Sequence, residues 1–439
     1  MGINIVKNSS ERIVIIGGGF GGLEIARRLV RLKYQVVLID RNNYHQFQPL
    51  FYQVATSGLE PSSIAFPFRR NFQRAKQFHF RLAEVKRIDP ENQQVHTSLG
   101  SVGYDHLIIA SGAGNNFFGN KRIEEHALPM KSIVESLRLR NVILEQFEAA
   151  LAASESKKDE HLTVVIAGGG PTGVELAGTL AEMKRFILPK DYPELDFRRM
   201  KIVLVEGSKR VLNAMTEKTS QKATRYLEKM GVEVRVDTRV NDYDGASVVL
   251  NDETEIPSRT LIWAAGIQGN FLEGIPEEAR GGGNRIHVDG FNRVKGIKNV
   301  YAVGDVALMI SDVYPKGHPQ LAQVAIQQGK LLAKNFKARL KGKDLKPFHY
   351  KNLGTMATVG RNKAVVELPK VKFYGFFAWV VWMTIHLRSI LGIRNKFLVF
   401  MNWVWNYFTY NLSLRLIIKR NDEALKTADP VEEKEILNV

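Results

Sequence analysis

The sequence predicts an α/β fold with two Rossmann-like domains and a C-terminal helical region, and three observations carry this prediction. An apolar strand that runs into a glycine-rich turn and then a helix occurs twice, at residues 12–22 and 162–173. In each half of the chain a later apolar strand ends in an acidic residue, Asp40 or Glu206. The last hundred residues differ, because they are rich in aromatic residues and hold four of the five tryptophans.

The first glycine-rich turn has the spacing G-x-G-x-x-G, which is typical of a pyrophosphate cradle at the N-terminus of a helix. Its first glycine allows a tight turn, its second lets the backbone approach the pyrophosphate, and its third lets the helix pack on the strand. These residues are Gly17, Gly19 and Gly22. A helix is predicted over 24–32 and a strand over 34–40. Asp40 then lies 23 residues after Gly17, where a carboxylate binds the hydroxyls of an adenosine ribose.

The second turn repeats the pattern with Gly168, Gly170 and Gly173. Its acid, Glu206, follows at a longer distance, which indicates an insertion around residues 183–199. A carboxylate there repels a 2′-phosphate, so this site is predicted to prefer NADH over NADPH. Lys209 and Arg210 follow directly and oppose that preference. Two cradles in one chain indicate two dinucleotides held together, and hydride transfer between them is the usual reason.

Size and composition are those of a globular protein of two or three domains, with 439 residues, 44% of them hydrophobic and 24% charged. The chain has no cysteine. This excludes structural disulfides, thiolate metal sites, iron–sulfur clusters and every flavoenzyme that passes electrons through a redox-active cysteine. No metal site is predicted.

The chain is strongly basic, with a formal charge of +17 and a pI near 9.7. Such a charge indicates an anionic partner, either nucleic acid or an anionic membrane surface, or else a solvated basic surface without a partner. The only apolar run near the N-terminus, 13–16, is the first cradle strand and is too short for a signal peptide. We therefore expect the catalytic body to face the cytoplasm or an equivalent compartment.

Further apolar strands are predicted over 104–113, 261–266 and 299–305, and the first two would return the chain past its own dinucleotide and across to the other domain. This set resembles the flavoproteins that have two dinucleotide-binding domains, of the glutathione-reductase architecture. The resemblance implies FAD, with Asp305 on the ribityl chain, whereas the alternative is an aspartate that caps the next helix. The implied FAD contacts are Gly17, Gly18, Gly19, Phe20, Gly21, Gly22, Asp40, Arg41, Val85, Ser111, Gly112, Asp305, Ala322 and Gln323. The implied NADH contacts are Gly168, Gly170, Gly173, Glu206, Ala265 and Gly266.

Residues 318–329 predict a helix with Pro319 in its first turn, and Gln323 and Gln327 four residues apart on one face. An amphipathic helix with exposed glutamines is the simplest interpretation. However, Ala-Gln-x-Ala-x-Gln resembles the quinone-site motif of type II NADH dehydrogenases, the single-chain, non-pumping NADH:quinone oxidoreductases, and residues 43–55 are similar to that family too. The resemblance covers 12–360 and implies that Gln323 and Gln327 bind quinone.

Glu175 and Glu182 lie on the helix after the second cradle. A carboxylate in a first helical turn commonly compensates the helix dipole, which is the default reading for Glu175. The resemblance implies that Glu175 serves proton transfer, since reduction of a quinone to a quinol consumes two protons. Glu182 is expected to be salt-bridged or solvated.

The aromatic tail predicts two helices that lie in a membrane surface. The first run, 373–387, is uncharged over only 15 residues, fewer than the about 20 that a spanning helix needs. The second run is 397–410. A narrow polar face along this run and just before it contains Asn395, Asn402, Asn406 and Thr409. The flanking basic residues suit anionic head groups and are Lys370, Lys372, Arg388, Arg394, Lys396, Arg415, Lys419 and Arg420. Buried packing, a dimer interface and one short tilted span are the alternatives.

These observations predict a split FAD domain at 1–113 and 281–342, an inserted NADH domain at 161–274, a membrane-associating region at 343–420 and a disordered tail at 421–439. The predicted function is non-pumping transfer from NADH through FAD to a membrane quinone of a respiratory chain. We expect a peripheral protein on the cytoplasmic face of the cell membrane, with no nucleic acid partner and with a homodimer left open. The competing functions are an NADH-dependent reductase of a soluble carrier such as a ferredoxin, and a flavoprotein that senses NADH.

Overall fold

The computed structural model describes residues 2–410, 412 and 414–418, so Lys419, Arg420 and the predicted tail lie outside the described residues. The helices are α1 (Phe20–Leu29), α2 (Phe51–Ala55), α3 (Phe68–Asn71), α4 (Lys121–His126), α5 (Ile133–Ala152), α6 (Lys158–Leu162), α7 (Pro171–Phe186), α8 (Leu188–Asp191), α9 (Glu217–Lys229), α10 (Ala322–Arg339), α11 (Phe376–Ser389) and α12 (Ile393–Thr409).

The strands are β1 (Arg12–Ile16), β2 (Gln35–Asp40), β3 (Tyr44–Gln46), β4 (Ala65–Pro67), β5 (Phe78–Leu82), β6 (Val85–Asp89), β7 (Gln94–Thr97), β8 (Gly100–Gly103), β9 (His106–Ile109), β10 (Ala113–Asn115), β11 (Leu128–Pro129), β12 (Thr163–Ala167), β13 (Lys201–Val205), β14 (Glu233–Arg235), β15 (Val240–Tyr243), β16 (Ser247–Leu250), β17 (Glu255–Pro257), β18 (Thr260–Trp263), β19 (Ile267–Gly269), β20 (Arg280–Gly281), β21 (Arg285–Val288), β22 (Val300–Ala302), β23 (Ala307–Met309), β24 (Thr355–Gly360), β25 (Lys363–Glu367) and β26 (Lys372–Tyr374).

The first parallel sheet has the order β22-β9-β1-β2-β5 and takes its β22 strand from beyond the second cradle. All five residues of β1 are buried, as expected of a strand covered on both faces of its sheet. Helices α1 and α10 pack against each other. A Cβ on Gly329 of α10 would lie 2.9 Å from the Gly21 carbonyl oxygen, so this contact depends on glycine. The cradle helix α1 therefore touches the helix that carries the two predicted quinone-site glutamines.

The second parallel sheet has the order β11-β18-β12-β13-β14 and repeats the arrangement around the second cradle. The chain crosses between the two sheets in the antiparallel pair β10 and β19. Next to this pair, the Ser111 hydroxyl donates to the Asn270 carbonyl oxygen (2.8 Å), and the Asn270 amide donates to the Ser111 carbonyl oxygen (2.9 Å). The two crossings are thus tied together at Ser111, which lies beside Gly17 of the first cradle.

Several predicted element ends are wrong by a few residues. The helix predicted over 24–32 is α1, which begins at Phe20, because the last cradle glycines already belong to the helix. The insertion predicted at 183–199 begins later, because α7 continues to Phe186 and is followed by the short helix α8. The strand predicted over 299–305 ends at Ala302 and gives way to a 3-10 turn over Gly304–Val306.

The C-terminal region begins with an antiparallel sheet, β24-β25-β26, that packs on α7. A Cβ on Gly178 of α7 would lie 2.1 Å from the Val359 carbonyl oxygen, so only glycine permits this close approach. Phe373 and Tyr374, predicted in a surface helix, lie in β26 instead, and Gly375 with a φ of +81° separates this strand from α11. Across the described residues, no helix combines the length and apolarity that a membrane crossing requires.

Candidate active site

The first cradle leaves open space over one glycine. A Cβ on Gly17 would meet the Ala110 carbonyl oxygen at 2.3 Å, and one on Gly22 would meet the Gly17 carbonyl oxygen at 1.9 Å. A Cβ on Gly19 would meet nothing within 4 Å. Gly19 is also the N-cap of α1 and is a glycine, so backbone N–H groups at this helix end have no side-chain cap. This end of α1 fits a pyrophosphate.

The second cradle reproduces that geometry. A Cβ on Gly168 would meet the Ala264 carbonyl oxygen at 2.4 Å, and one on Gly173 would meet the Gly168 carbonyl oxygen at 1.9 Å. A Cβ on Gly170, the uncapped N-cap of α7, would meet nothing within 4 Å. Two helix ends in this chain therefore have the form of a phosphate site.

The two acids predicted to bind ribose are held beside the cradles by backbone N–H groups. Asp40 accepts hydrogen bonds from the Gly18 N–H (2.6 Å) and the Asn42 N–H (2.7 Å). Burial raises the pKa of Asp40, and these two bonds oppose the rise. Glu206 accepts from the Gly169 N–H (2.6 Å) and from the Ser208 N–H (2.7 Å). Each carboxylate is thus fixed against the middle of its own glycine turn.

A cleft of about 410 Å³ opens beside Glu206. Both Lys209 and Arg210 line it, together with Ser208 and Asp237. The two cations that favour a 2′-phosphate thus line a cleft that begins at Gly207, the residue directly after the acid that disfavours one.

Asp305 lies in the 3-10 turn that follows β22, and this turn has Val303 as its N-cap. The next α-helix, α10, has Leu321 as its N-cap, so the alternative in which Asp305 caps a helix is wrong. Burial raises the pKa of Asp305, and the nearby cations Lys131 and Arg285 lower it. Sequence reasoning did not identify these two cations, because they come from other segments of the chain.

The other predicted cofactor contacts lie in connections that follow strands or at the first residues of later elements. Ser111 and Gly112 follow β9, and Gly112 has a φ of +69°. Ala265 and Gly266 occupy the equivalent place between β18 and β19, where the Gly266 carbonyl oxygen accepts from the Asn116 N–H (3.1 Å). The remaining residues are the first residues of α1, α10 and β6 and the exposed residue after β2, namely Phe20, Gly21, Ala322, Val85 and Arg41.

Gln323 and Gln327 both bind the backbone of residues 351–354. The Gln323 amide donates to the Gly354 carbonyl oxygen (3.0 Å) and accepts from the Leu353 N–H (3.2 Å). The Gln327 amide donates to the Lys351 carbonyl oxygen (2.9 Å) and accepts from the Lys351 N–H (3.0 Å). The two glutamines share one face of α10, as predicted, and they hold the segment that leads into β24.

Glu175 lies in the second turn of α7 and its side chain is buried. Its Oε1 accepts from the Trp382 indole N–H (3.1 Å) on α11 and from the Thr358 N–H (3.3 Å) on β24. Burial raises the pKa of Glu175 to about 8, against these two donors, which lower it. A buried carboxyl that holds its proton near neutral pH suits an acid in catalysis better than a residue that compensates a helix dipole.

Aromatic rings connect the first cradle with α11. Phe20, at the start of α1, packs edge-on against Phe47 (6.0 Å between centroids), and Phe47 packs edge-on against His386 (6.2 Å). His386 stacks on Trp382 at 4.0 Å, and Tyr52 contacts Trp382 from α2. Glu175, the second-cradle helix and the first cradle therefore border one aromatic cluster.

Glu182 is half-buried and forms no salt bridge among the described residues, whereas it was predicted to be salt-bridged or solvated. It accepts a hydrogen bond from the Arg361 N–H, and the salt bridges of the described residues do not include it. Burial raises the pKa of Glu182, with Lys363 and Arg361 lowering it. The sheet that packs on α7 covers this carboxyl, which the sequence did not reveal.

The asparagine face of α12 points into the protein. The Asn395 amide donates to the Ala65 carbonyl oxygen (2.8 Å), and the Asn406 amide donates to the Gly58 carbonyl oxygen (3.3 Å). The opposite side of α12 and the outer side of α11 expose large apolar side chains. These are Phe376, Phe377, Val380, Ile385, Ile393, Phe397, Phe400, Met401, Trp405 and Phe408, which we call the apolar face. Arg415, predicted to meet head groups, pairs with Asp191 instead.

Comparisons with known proteins show the family of this chain. The family model for pyridine nucleotide-disulphide oxidoreductases matches residues 11–329, and the model for the NDH2 C-terminal domain matches residues 352–409. A type II NADH:quinone oxidoreductase, Ndh, of Mycobacterium tuberculosis is 36% identical over 91% of this chain and 88% of its own. An internal alternative NAD(P)H-ubiquinone oxidoreductase of Arabidopsis thaliana is 28% identical over 91% of this chain and 85% of its own.

The fold also matches a solved structure of NDH2 from Plasmodium falciparum in complex with NADH. That match has a TM-score of 0.85 at 23% identity and covers 93% of this chain and 100% of the other. Two uncapped cradles, a buried glutamate on the helix of the second cradle and a matched C-terminal domain thus occur in one chain. The chain belongs to the type II NADH:quinone oxidoreductases, within the pyridine nucleotide-disulphide oxidoreductase family.

Proposed function

We propose that this protein oxidises NADH and reduces a membrane quinone through a bound FAD, without pumping protons. One observation carries the proposal. Helix α7 begins at the second cradle, and its Glu175 accepts a hydrogen bond from Trp382 of α11, whose outer side is exposed and apolar. A single helix therefore links a dinucleotide site to a surface suited to a membrane-borne acceptor.

The first cradle is assigned to FAD and the second to NADH. At the first cradle, the N-terminus of α1 would hold the pyrophosphate and Asp40 the ribose, with Asp305 near the ribityl chain. At the second, α7 and Glu206 would do the same for NADH. The two open positions, over Gly19 and Gly170, fit this assignment. When bound, the flavin supplies the two-electron chemistry between NADH and quinone.

Glu175 supplies a proton to the quinone in this proposal. Because burial raises the pKa of Glu175 to about 8, its carboxyl holds a proton at neutral pH. Burial lowers the pKa of the neighbouring His386 to about 4, so its imidazole is neutral there. Glu175 is therefore the member of this aromatic cluster that can donate a proton at neutral pH.

Gln323 and Gln327 border the quinone site by shaping one of its walls. Their amides hold residues 351–354, and the chain continues from there into β24, which carries Thr358. A quinone head group that bound these amides directly would have to replace their backbone bonds. We assign them a role in placing the Thr358 N–H against Glu175 as well as in bounding the site.

The apolar face is proposed to lie in an anionic membrane surface on the cytoplasmic side of the cell membrane. Exposed basic residues flank it and would meet the head groups. They are Lys370, Lys372, Arg388 and Arg394. A quinone that enters from the membrane would then reach the cluster around Trp382 from the helices that carry this face.

An anaerobic assay of the purified protein tests the function. With NADH as donor, we expect FAD to be released on denaturation, and fast reduction of ubiquinone or menaquinone analogues but slow reduction of ferredoxin. Faster reduction of ferredoxin than of any quinone would overturn the proposal in favour of a soluble-carrier reductase. Slow turnover with every acceptor would favour an NADH-sensing role.

A further inference from the structure

The indole of Trp382 contacts Glu175 directly. Its Nε1–H donates to Glu175 Oε1 at 3.1 Å, and the Trp382 side chain is only 2% exposed. The other donor to the same oxygen is the backbone N–H of Thr358 at 3.3 Å. Trp382 is therefore the only side chain with a recorded hydrogen bond to this carboxyl among the residues that the structure describes.

Rings and hydrogen bonds from three helices fix the orientation of this indole. His386 stacks on it, Tyr52 of α2 packs against it, and Trp403 of α12 lies 5.9 Å away between ring centroids. The Trp403 indole N–H donates to Gln53 Oε1 (2.8 Å), and the Gln53 amide donates to the Tyr52 hydroxyl (2.8 Å). The two helices that carry the apolar face are thus anchored to α2 around Trp382.

Few groups other than these donors can stabilise an ionised Glu175. Tyr52 faces it from α2, and burial raises the pKa of that phenol, so it stays neutral. His386 faces Trp382 from α11 and is neutral near pH 7. Glu182, on the same helix, has the cations Arg361 and Lys363 of the adjoining sheet as its own neighbours. No salt bridge in the described part of the chain reaches Glu175.

We propose that Trp382 is a positioning residue for proton transfer: its indole N–H holds the Glu175 carboxyl and so ties the helices of the apolar face to the proton donor. This inference rests on the proposed function, in which Glu175 supplies a proton to the quinone. It assigns α11 a second role besides membrane contact, because α11 packs on the sheet that covers α7 and its Trp382 completes the environment of the acid.

Loss of the Trp382 N–H should raise the pKa of Glu175. A hydrogen bond to the ionised form of a carboxyl favours that form, so its loss raises the pKa of the carboxyl. Trp382→Phe keeps an aromatic ring but removes the N–H. In this variant the alkaline limb of the pH profile for quinone reduction should move upward by about one pH unit, as expected for one hydrogen bond to a charged group.

The experiment uses the full-length protein with its flavin, first confirmed to reduce a quinone analogue. The kcat for quinone and the rate with ferricyanide are measured from pH 5 to 10 for wild type, Trp382→Phe and Trp403→Phe. Trp403→Phe is the matched control, since it also removes one indole N–H beside the same cluster, but its acceptor Gln53 does not titrate. We expect the shift in Trp382→Phe only, with ferricyanide rates unchanged in both variants.

Two further variants keep the test decisive. His386→Ala removes the ring stacked on Trp382 and should move the limb in the same direction by less, which covers the case that Trp382→Phe does not fold. In a Glu175→Gln background, Trp382→Phe should move no limb. Three results would overturn the inference. The alkaline limb could stay unchanged in both Trp382→Phe and His386→Ala, it could shift equally in Trp403→Phe, or its shift could persist in the Glu175→Gln background. A wild type that reduces no quinone would instead overturn the proposed function.

Discussion

Asp40 and Glu206 make equivalent hydrogen bonds in the two halves of the chain. Each carboxylate accepts the N–H of the middle residue of its glycine turn, Gly18 or Gly169, at 2.6 Å. The same side chain is expected to bind a ribose, so it both holds the turn and contacts the ligand. Loss of either carboxylate leaves a buried N–H without its partner, which costs about 1–3 kcal/mol.

Because the two carboxylates have equivalent positions, the same substitution at each shows which cradle binds which dinucleotide. Glu206→Ala should keep the flavin bound, raise the KM for NADH about tenfold or more, and relax discrimination against NADPH. Asp40→Ala should instead weaken flavin retention, and each variant is the control for the other. Flavin absorbance after gel filtration and steady-state kinetics with both nicotinamides measure this. A Glu206→Ala protein that lost flavin but kept its affinity for NADH would reverse the assignment.

Glu175 is predicted to make both turnover and stability depend on pH. Folding raises its pKa from 4.5 to about 8, so its contribution to stability is complete below pH 4.5 and is lost as the pH rises through 8. The cost approaches about 1.4 kcal/mol per pH unit within that window. Glu175→Gln lacks this cost, so its melting temperature should exceed that of wild type at pH 8 by more than at pH 5.

The same variant should lower quinone turnover roughly 100-fold at neutral pH and remove the alkaline limb of its pH profile, because a positioned acid contributes about that factor. The rate with ferricyanide, which needs no such proton, should be unaffected and serves as the control. Wild-type turnover and an unchanged pH profile in Glu175→Gln would return this residue to a purely structural role.

Among the elements, α12 shows how a polar face on a helix can be turned inward. Its Asn395 and Asn406 bind carbonyl oxygens of residues 58–65, and its apolar side is exposed. The sequence indicated the polar face from the spacing of the asparagines, but not which side would meet the protein. The helical periodicity of the sequence identifies the two faces of a helix. It does not identify what each face contacts, because the contacts of the polar face here come from chain segments more than 300 residues away.

Asn395 should therefore contribute more to the docking of α12 than Asn402 does. Asn395→Ala removes a bond to the Ala65 carbonyl oxygen and should destabilise the protein by about 1–2 kcal/mol. Asn402 donates only within its own helix, to the Leu398 carbonyl oxygen, so Asn402→Ala should be neutral or slightly stabilising. Thermal melting and limited proteolysis of α12 measure the difference. Equal melting temperatures for the two variants would show that the asparagine face does not hold this helix.

Over the whole molecule, the cradles and the candidate acid Glu175 could be predicted from sequence, whereas the partners of that acid could not. The contacts that define a cradle, such as Gly17 with Gly22, lie within a few residues, so spacing alone encodes them. Glu175 and Trp382 are 207 residues apart, and they meet because α7 and α11 both pack on the β24-β25-β26 sheet. The partners of Gln323 and Gln327, the backbone of 351–354, carry no side-chain signature at all.

The exposed ends of α11 and α12 give the whole molecule a side suited to a lipid surface. Phe377, Ile393 and Phe408 are 76%, 88% and 78% exposed. Each such side chain would gain about 1.5–3 kcal/mol on burial in lipid. Contacts of basic residues with anionic head groups add about 1 kcal/mol each and are screened by salt. Burial should therefore dominate binding, and a dimer that covers this face is the main competitor.

Substitution on the apolar face separates the contribution of apolar burial from that of charge. A truncation does not, because removal of α11 would also remove Trp382 from Glu175. The triple variant Phe377→Glu, Ile393→Glu, Phe408→Glu should lose flotation with anionic vesicles and activity with long-tailed quinones, while retaining flavin and ferricyanide reduction. Leu99→Glu, at an exposed apolar residue between β7 and β8, is the charge control and should float like wild type.

High salt should leave wild type on the vesicles, and detergent should release it. Release by salt alone would show that charge holds the protein, and a triple variant that floats normally but changes its oligomeric state would assign the face to a dimer.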